Sequence, residues 1–130
     1  MNALKTTERA ALGYLHVNCG NCHQPRSFIS NMVDMDLWLP TAELSDVANT
    51  PTLLTTLGVR AAQTYFPGSD GSGGEASFDT RIVAGDPDSS IVYLRMITRD
   101  TGLAMPPVGS EIVDEPGANS VRQWISELDE

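Results

Sequence analysis

Cys19, Cys22 and His23 carry the most specific chemistry in this sequence. In the run Cys19-Gly20-Asn21-Cys22-His23 two thiols stand three positions apart, and an imidazole follows the second at once. Thiols at that spacing can add to the two vinyl groups on one edge of a porphyrin, and the next side chain then reaches the metal from the proximal face. A neutral imidazole nitrogen held there by two covalent tethers is a ligand at very high effective concentration. The C-x-x-C-H run therefore predicts one covalently bound haem c per chain, tethered at Cys19 and Cys22, with His23 on the iron.

Two other chemistries use such residues. A thioredoxin-type C-x-x-C needs a strand before the motif and a helix after it. Here a helical pattern precedes Cys19, and Gln24-Pro25 follows, where a proline disfavours a helix. A zinc site needs more cysteine or histidine than the chain has, since His16 is the only other histidine.

A haem iron has a sixth position, and five methionines are candidates for it. Met1 is terminal, Met32 and Met35 lie in an irregular stretch, and Met96 belongs to a helix face. Met105 differs, because Pro106 and Pro107 follow it and stiffen the backbone around a thioether that a metal could take. It also lies far enough beyond His23 to close the distal side. His23 and Met105 are thus the expected iron ligands.

Composition bounds the elements that must position these residues. The chain of 130 residues has the length of one domain, 1–130, and its 41% apolar content is enough for one modest core. With 11 Gly, 8 Pro and 6% aromatic residues, a buried porphyrin would supply apolar surface that side chains do not. No apolar run is long enough to span a bilayer, so no membrane insertion is expected. A formal charge of −9 argues against nucleic acid and anionic lipid as partners and suits a basic docking patch on a partner. The first residues show no apolar leader segment. Attachment to C-x-x-C-H is completed outside the cytoplasm in bacteria, so the expectation is a periplasmic or extracellular domain cut from a larger exported chain.

Along the chain, Thr6 or Thr7 is the expected cap of a first helix, neither forming a capping box, with Leu4, Ala11, Leu12 and Leu15 as its buried side chains. Ala10, Ala11 and Gly13 would let another helix cross it closely. The C-terminal segment offers one, with Asp114 as N-cap, Pro116 in the first turn, and Val121, Trp124, Ile125 and Leu128 at i, i+3, i+4 and i+7. Between them, Met35 to Leu39 reads as a short strand or extended wall, Asn49-Thr50-Pro51 as a turn, and Thr52 to Arg60 as a short helix ended by Gly58. The run from Pro67 to Gly74 reads as a flexible loop, whose Asp70 and nearby Glu75 do not have the spacing of a calcium-binding loop. Asp86 and Pro87 are expected to open a helix reaching about Arg99, with Ile91, Leu94 and Ile97 or Thr98 inward and Thr101-Gly102 as its stop.

With these residues in view, the chain resembles the mono-haem class I cytochromes c, and most of all the haem domains at the C-terminal ends of larger exported bacterial proteins. The likeness is carried by residues 14–23, by Met35-Asp36-Leu37, by Gly85-Asp86-Pro87-Asp88-Ser89-Ser90, by Met105-Pro106-Pro107-Val108-Gly109 and by Trp124-Ile125. It implies an all-α, class I cytochrome c fold with crossed N- and C-terminal helices and a long irregular middle segment. It implies thioether bonds from Cys19 and Cys22, and His23 and Met105 as axial ligands. The function implied is electron transfer without substrate turnover, serving a secreted or periplasmic redox enzyme such as a dehydrogenase or a copper polysaccharide monooxygenase. Two other readings are a haem enzyme or sensor whose sixth position opens to peroxide or a small gas, with His16 as the sole histidine to act as acid or base, and a haem that only staples the core. The chain departs from many soluble members in being acidic and in the length of its 24–80 segment.

Overall fold

Helix α1, Thr6–Cys19, buries Ala11, Leu12 and Leu15 on one face and is the element from whose end the C-x-x-C-H run emerges. The computed structural model describes residues 4–40, 46–65, 78–99, 103–107 and 111–129, and the side chains of Thr64 and Tyr65 lie outside the description. The first helix is capped one residue earlier than Thr6. Lys5 holds the N-cap position, where its backbone N–H donates to the Glu8 carboxylate at 3.0 Å, and Thr7 instead donates to Glu127 at the far end of the chain. Leu4 is half-buried.

A 3-10 turn, Val47–Asn49, precedes α2, Pro51–Thr56, which is capped by the Thr50 hydroxyl. The expected helix to Arg60 therefore stops early. Gly58 sits at φ +69°, in the left-handed region that favours glycine, and the chain leaves that turn as a strand. Strand β1, Arg60–Tyr65, pairs antiparallel with β2, Phe78–Thr80, in a two-stranded sheet with a register irregularity between the Arg60–Thr80 and Tyr65–Phe78 pairs. The fold is thus mixed, helical with one small sheet, and the all-α expectation is corrected. Leu57 and Ile82 bridge just beyond the sheet, so it fastens the middle segment to the core through Ile82, which is fully buried. The expected loop over 67–74, with Asp70 and Glu75 around it, and the stop at Thr101-Gly102 lie outside the described residues.

The predicted helix from Asp86 is broken in two. A 3-10 turn, Pro87–Ser89, precedes α3, Ile91–Ile97, and the Asp86 side chain caps neither. Buried Ser90 makes the break: its hydroxyl donates to the Asp86 carbonyl at 2.8 Å and accepts the Val83 N–H at 2.9 Å. The inner stripe shifts with it, to Ile91, Val92, Tyr93 and Met96, leaving Ile97 exposed and Leu94 half-buried.

Helix α4, Glu115–Glu127, starts as expected, with the Asp114 carboxylate accepting the Gly117 N–H and Pro116 in the first turn, but ends before Leu128, which is its C-cap and half-buried. Val121, Trp124 and Ile125 are fully buried and join Ala11, Leu12 and Leu15 in one core cluster that also takes in Leu53, Ile82, Tyr93 and Met96. Each such side chain contributes about 1.5–3 kcal/mol of hydrophobic stabilisation. The terminal helices meet most closely through a glycine on α4. A Cβ on Gly117 would collide with the Tyr14 ring, whereas one on Gly13 would touch nothing, and Ala10 is exposed. Among the described residues no helix is long and apolar enough to cross a membrane.

Candidate haem-attachment site

Cys19 is the last residue of α1 and Gly20 its C-cap, so the motif starts where the helix leaves its final carbonyls unpaired. The chain then folds back on itself: the N–H groups of Cys22 and His23 both donate to the Cys19 carbonyl, at 3.2 and 2.8 Å. The His23 carbonyl accepts the Leu37 N–H at 2.8 Å. Residues 33–40, where the alternation of Met35 to Leu39 suggested a short strand or an extended wall, form no regular element and are not a strand; they lie beside the motif as an irregular wall, joined to His23 and His16 through the Leu37 and Leu39 amides. Gly20 is pressed against it, for a Cβ there would lie 2.6 Å from the His16 carbonyl and 3.3 Å from both the Leu37 carbonyl and Trp38 Cα.

The two thiols differ. Cys22 is exposed, while Cys19 is half-buried, and burial together with its neighbour Cys22 pushes its thiol up to about 11. A thiol used for disulfide exchange sits instead where a helix N-terminus or a cation lowers its pKa. Cys19 stands at the opposite, electronegative end of its helix, which weighs against thioredoxin-type chemistry.

His23 is half-buried and its buried Nδ1 has no hydrogen-bond partner among the described residues. Burial first, and then the Arg81 and Arg95 guanidiniums, hold the imidazole pKa below its ordinary value and so favour the neutral, ligating form. A neutral imidazole with a buried ring nitrogen left without a partner among the described residues, next to two free cysteines, is a donor set that would fit a covalently tethered haem. Arg81 is itself buried, and its guanidinium donates to the Thr55 carbonyl at 2.8 Å and to the exposed Asp34 carboxylate at 2.7 Å.

Cys19 and Met105 line one cavity of about 230 Å³, together with Tyr14, Met96, Arg99 and Ile112. Cys22 and His23 are not part of that lining. The structure therefore brings one tether cysteine and the expected distal thioether together, and leaves the other tether and the imidazole on the adjoining turn. Met96 reaches the same cavity from the buried face of α3, while Met32 is exposed. Tyr14 and Asp114 both line the cavity; burial first, then this carboxylate, pushes the Tyr14 hydroxyl up to about 12.

His16 has another task. Its Nδ1 accepts the Leu39 N–H at 2.9 Å, and its ring meets Trp38 edge to face at 4.5 Å, so it ties the irregular wall to α1. Of the two acidic residues nearest the expected haem edge in sequence, Glu111 is exposed and Asp100 lies outside the described residues. Sequence reasoning missed Arg81, Arg95 and Arg99, because their partners are backbone carbonyls and a carboxylate remote in the chain; only the i, i+4 spacing of Arg95 and Arg99 hinted at a shared face.

In comparisons with known proteins, no family model, no curated protein and no solved structure matches this chain.

Proposed function

We propose that the chain is an electron carrier built on one c-type haem, tethered at Cys19 and Cys22 and ligated by His23 and Met105. The observation that carries the reading is the C-x-x-C-H run at the end of α1, with a neutral, half-buried His23 whose inner ring nitrogen lacks a partner. A bound haem would supply a one-electron couple at the iron. The residues of this chain do the rest. His23 offers a neutral nitrogen, fixed on both sides by the backbone bonds of its own N–H and carbonyl. Met105 offers a soft thioether, which favours the reduced metal and raises the potential. Leu12, Leu15, Met96 and Trp124 belong to the buried core cluster against which Cys19 packs. Exposed Cys22 leaves the tethered edge open, where a partner protein could approach closely enough for electron tunnelling. The engagement of His16 with the Leu39 amide weighs against its service as a distal acid or base, and hence against the peroxidase-like or sensor reading.

The proposed partner is a secreted or periplasmic redox enzyme, a dehydrogenase or a copper polysaccharide monooxygenase, meeting this acidic domain with a basic patch. A periplasmic or extracellular setting follows from the same reading. The test is the visible spectrum, in both oxidation states, of protein made with a haem-maturation system and then extracted with acid acetone. Pigment that stays on the denatured chain and cycles reversibly is expected. Pigment that is stripped would end the reading, and pigment that stays but does not cycle would make the haem a core staple.

A further inference from the structure

The short segment bearing Met105 is held to α3 by two arginines. The Met105 N–H donates to the Arg95 carbonyl at 3.0 Å, and the Arg95 guanidinium donates to the Leu103 carbonyl at 3.2 Å. Arg99, just past the helix, turns its Nη2 onto three carbonyls, those of Met96 at 2.9 Å, Met105 at 3.2 Å and Arg95 at 3.3 Å. The first and third of these belong to the last turn of α3, whose carbonyls have no partner within the helix. One guanidinium thus caps a helix C-terminus, where a cation is also favoured by the helix dipole, and grips the backbone of Met105. Met105 is held at both its N–H and its carbonyl, beside the cavity it shares with Cys19.

We infer that Arg99, assisted by Arg95, is the positioning residue that keeps the Met105 thioether turned to the cavity and closes the sixth iron position to outside ligands. This rests on the proposed ligation by Met105 and goes beyond it. The length of the arginine side chain lets one Nη2, sharing its two N–H donors among three carbonyls, bridge two segments; a lysine ammonium on a shorter reach could hold only some of them. A clamp made of backbone carbonyls acts on the position of Met105 without touching its sulfur. Loosening it leaves the ligand in the chain and lowers only the fraction of time it is in place. A competing ligand then binds with an apparent affinity raised in proportion to the open fraction.

The experiment uses the ferric holoprotein in four forms: wild type, Arg99→Met, Arg99→Lys and Arg122→Gln, the last removing a cation that instead pairs with Asp88. Imidazole is titrated while the weak red band of ferric sulfur ligation is followed, and exchange of the Met105 amide is measured by NMR. Arg99→Met should raise the apparent imidazole affinity and speed Met105 exchange by about 10- to 100-fold, as loss of a hydrogen bond to a charged group does. Arg99→Lys should fall between, and Arg122→Gln should match wild type. An imidazole affinity in Arg99→Met within about twofold of wild type overturns the inference even if the amide exchanges faster, because the loop would then move without freeing the ligand. If Arg99→Met does not fold, Arg99→Lys decides by the same criterion against Arg122→Gln. A wild-type holoprotein with no sulfur-ligation band sinks the ligand assignment, and the inference with it. A band that is present but indifferent to Arg99 sinks the inference alone.

Discussion

Replacing Gly117 by alanine puts one methyl group into the ring of Tyr14, since the Cβ position falls inside van der Waals contact with its Cε2 and Cζ and 2.7 Å from its hydroxyl oxygen. Alanine in a helix ordinarily gains up to about 1 kcal/mol over glycine. Against this stands an overpacking cost of about 1–3 kcal/mol. The displaced hydroxyl also loses its place near the Asp114 carboxylate, which adds to the cost. Asp114 is at the same time the cap of α4, so the damage reaches the start of that helix. The balance is a loss of about 1–3 kcal/mol, or a fall in Tm of roughly 4 to 12 °C for a chain of this size. Thermal and urea unfolding of Gly117→Ala in the wild-type and Tyr14→Ala backgrounds measures it. With the ring gone the alanine should be neutral or stabilising, a coupling of about 1–3 kcal/mol between the two positions. If Gly117→Ala has the same effect in both backgrounds, the terminal helices do not meet through this pair.

Met105→Ala or Met105→His should erase the red band of ferric sulfur ligation and lower the reduction potential; a band that survives in Met105→Ala transfers the ligand role to Met96, whose side chain reaches the same cavity. Trp124→Ala should cost about 3 to 5 kcal/mol by chemical denaturation, as large aromatic deletions in cores do, while the iron ligands stay in place. Asp34 is held below the usual carboxylate range by its hydrogen bond from Arg81, so its contribution to stability is present above the unfolded value of about 3.9 and disappears as pH falls through the lower folded value. Asp34→Asn should therefore be less stable than wild type at pH 7, with the gap narrowing at acid pH; curves that stay parallel would show that the pair carries no linkage. Electron exchange should slow with added salt when the partner is cationic and speed up when it is anionic, because the formal −9 acts over a Debye length of about 10 Å at 0.1 M. Stopped-flow oxidation by one reagent of each sign would refute this if the two salt slopes agreed.

The two terminal helices were legible because their apolar residues recur at helical spacing and because Asp114 and Pro116 mark a start. The alternation of Met35 to Leu39 pointed to a short strand or an extended wall, and the structure has no strand there. The small sheet was not legible: Arg60-Ala61-Ala62-Gln63 shows no alternation of apolar and polar residues, and the pairing that makes it a strand comes from beyond residue 77. Nor did a helical reading of 86–99 foresee Ser90, whose hydroxyl satisfies backbone groups on both sides of a break that hydrophobic spacing does not register. At the site, the proposed chemistry rests on the residue types and spacing of the motif, which are plain in the sequence. The roles of the arginines around it are not, because a guanidinium aimed at backbone carbonyls, near in the chain for Arg95 and Arg99 and far for Arg81, looks in sequence like any solvated charge.

The approach of Leu37 and Trp38 to Gly20 changes how the two spacer positions of the C-x-x-C-H run should behave under randomisation. Asn21 is exposed, with only its carbonyl engaged by Gln24, so most residues should serve there. Position 20 is different: a Cβ there would lie 2.6 Å from the His16 carbonyl of α1 and 3.3 Å from Leu37 and Trp38, so a side chain must shift the end of α1 and crowd the stretch whose Leu37 and Leu39 amides hold His23 and His16. A library at these two sites, sorted for retained pigment, should come back glycine-only at the first and nearly unrestricted at the second. In this chain one of the motif's two free letters is written by tertiary structure.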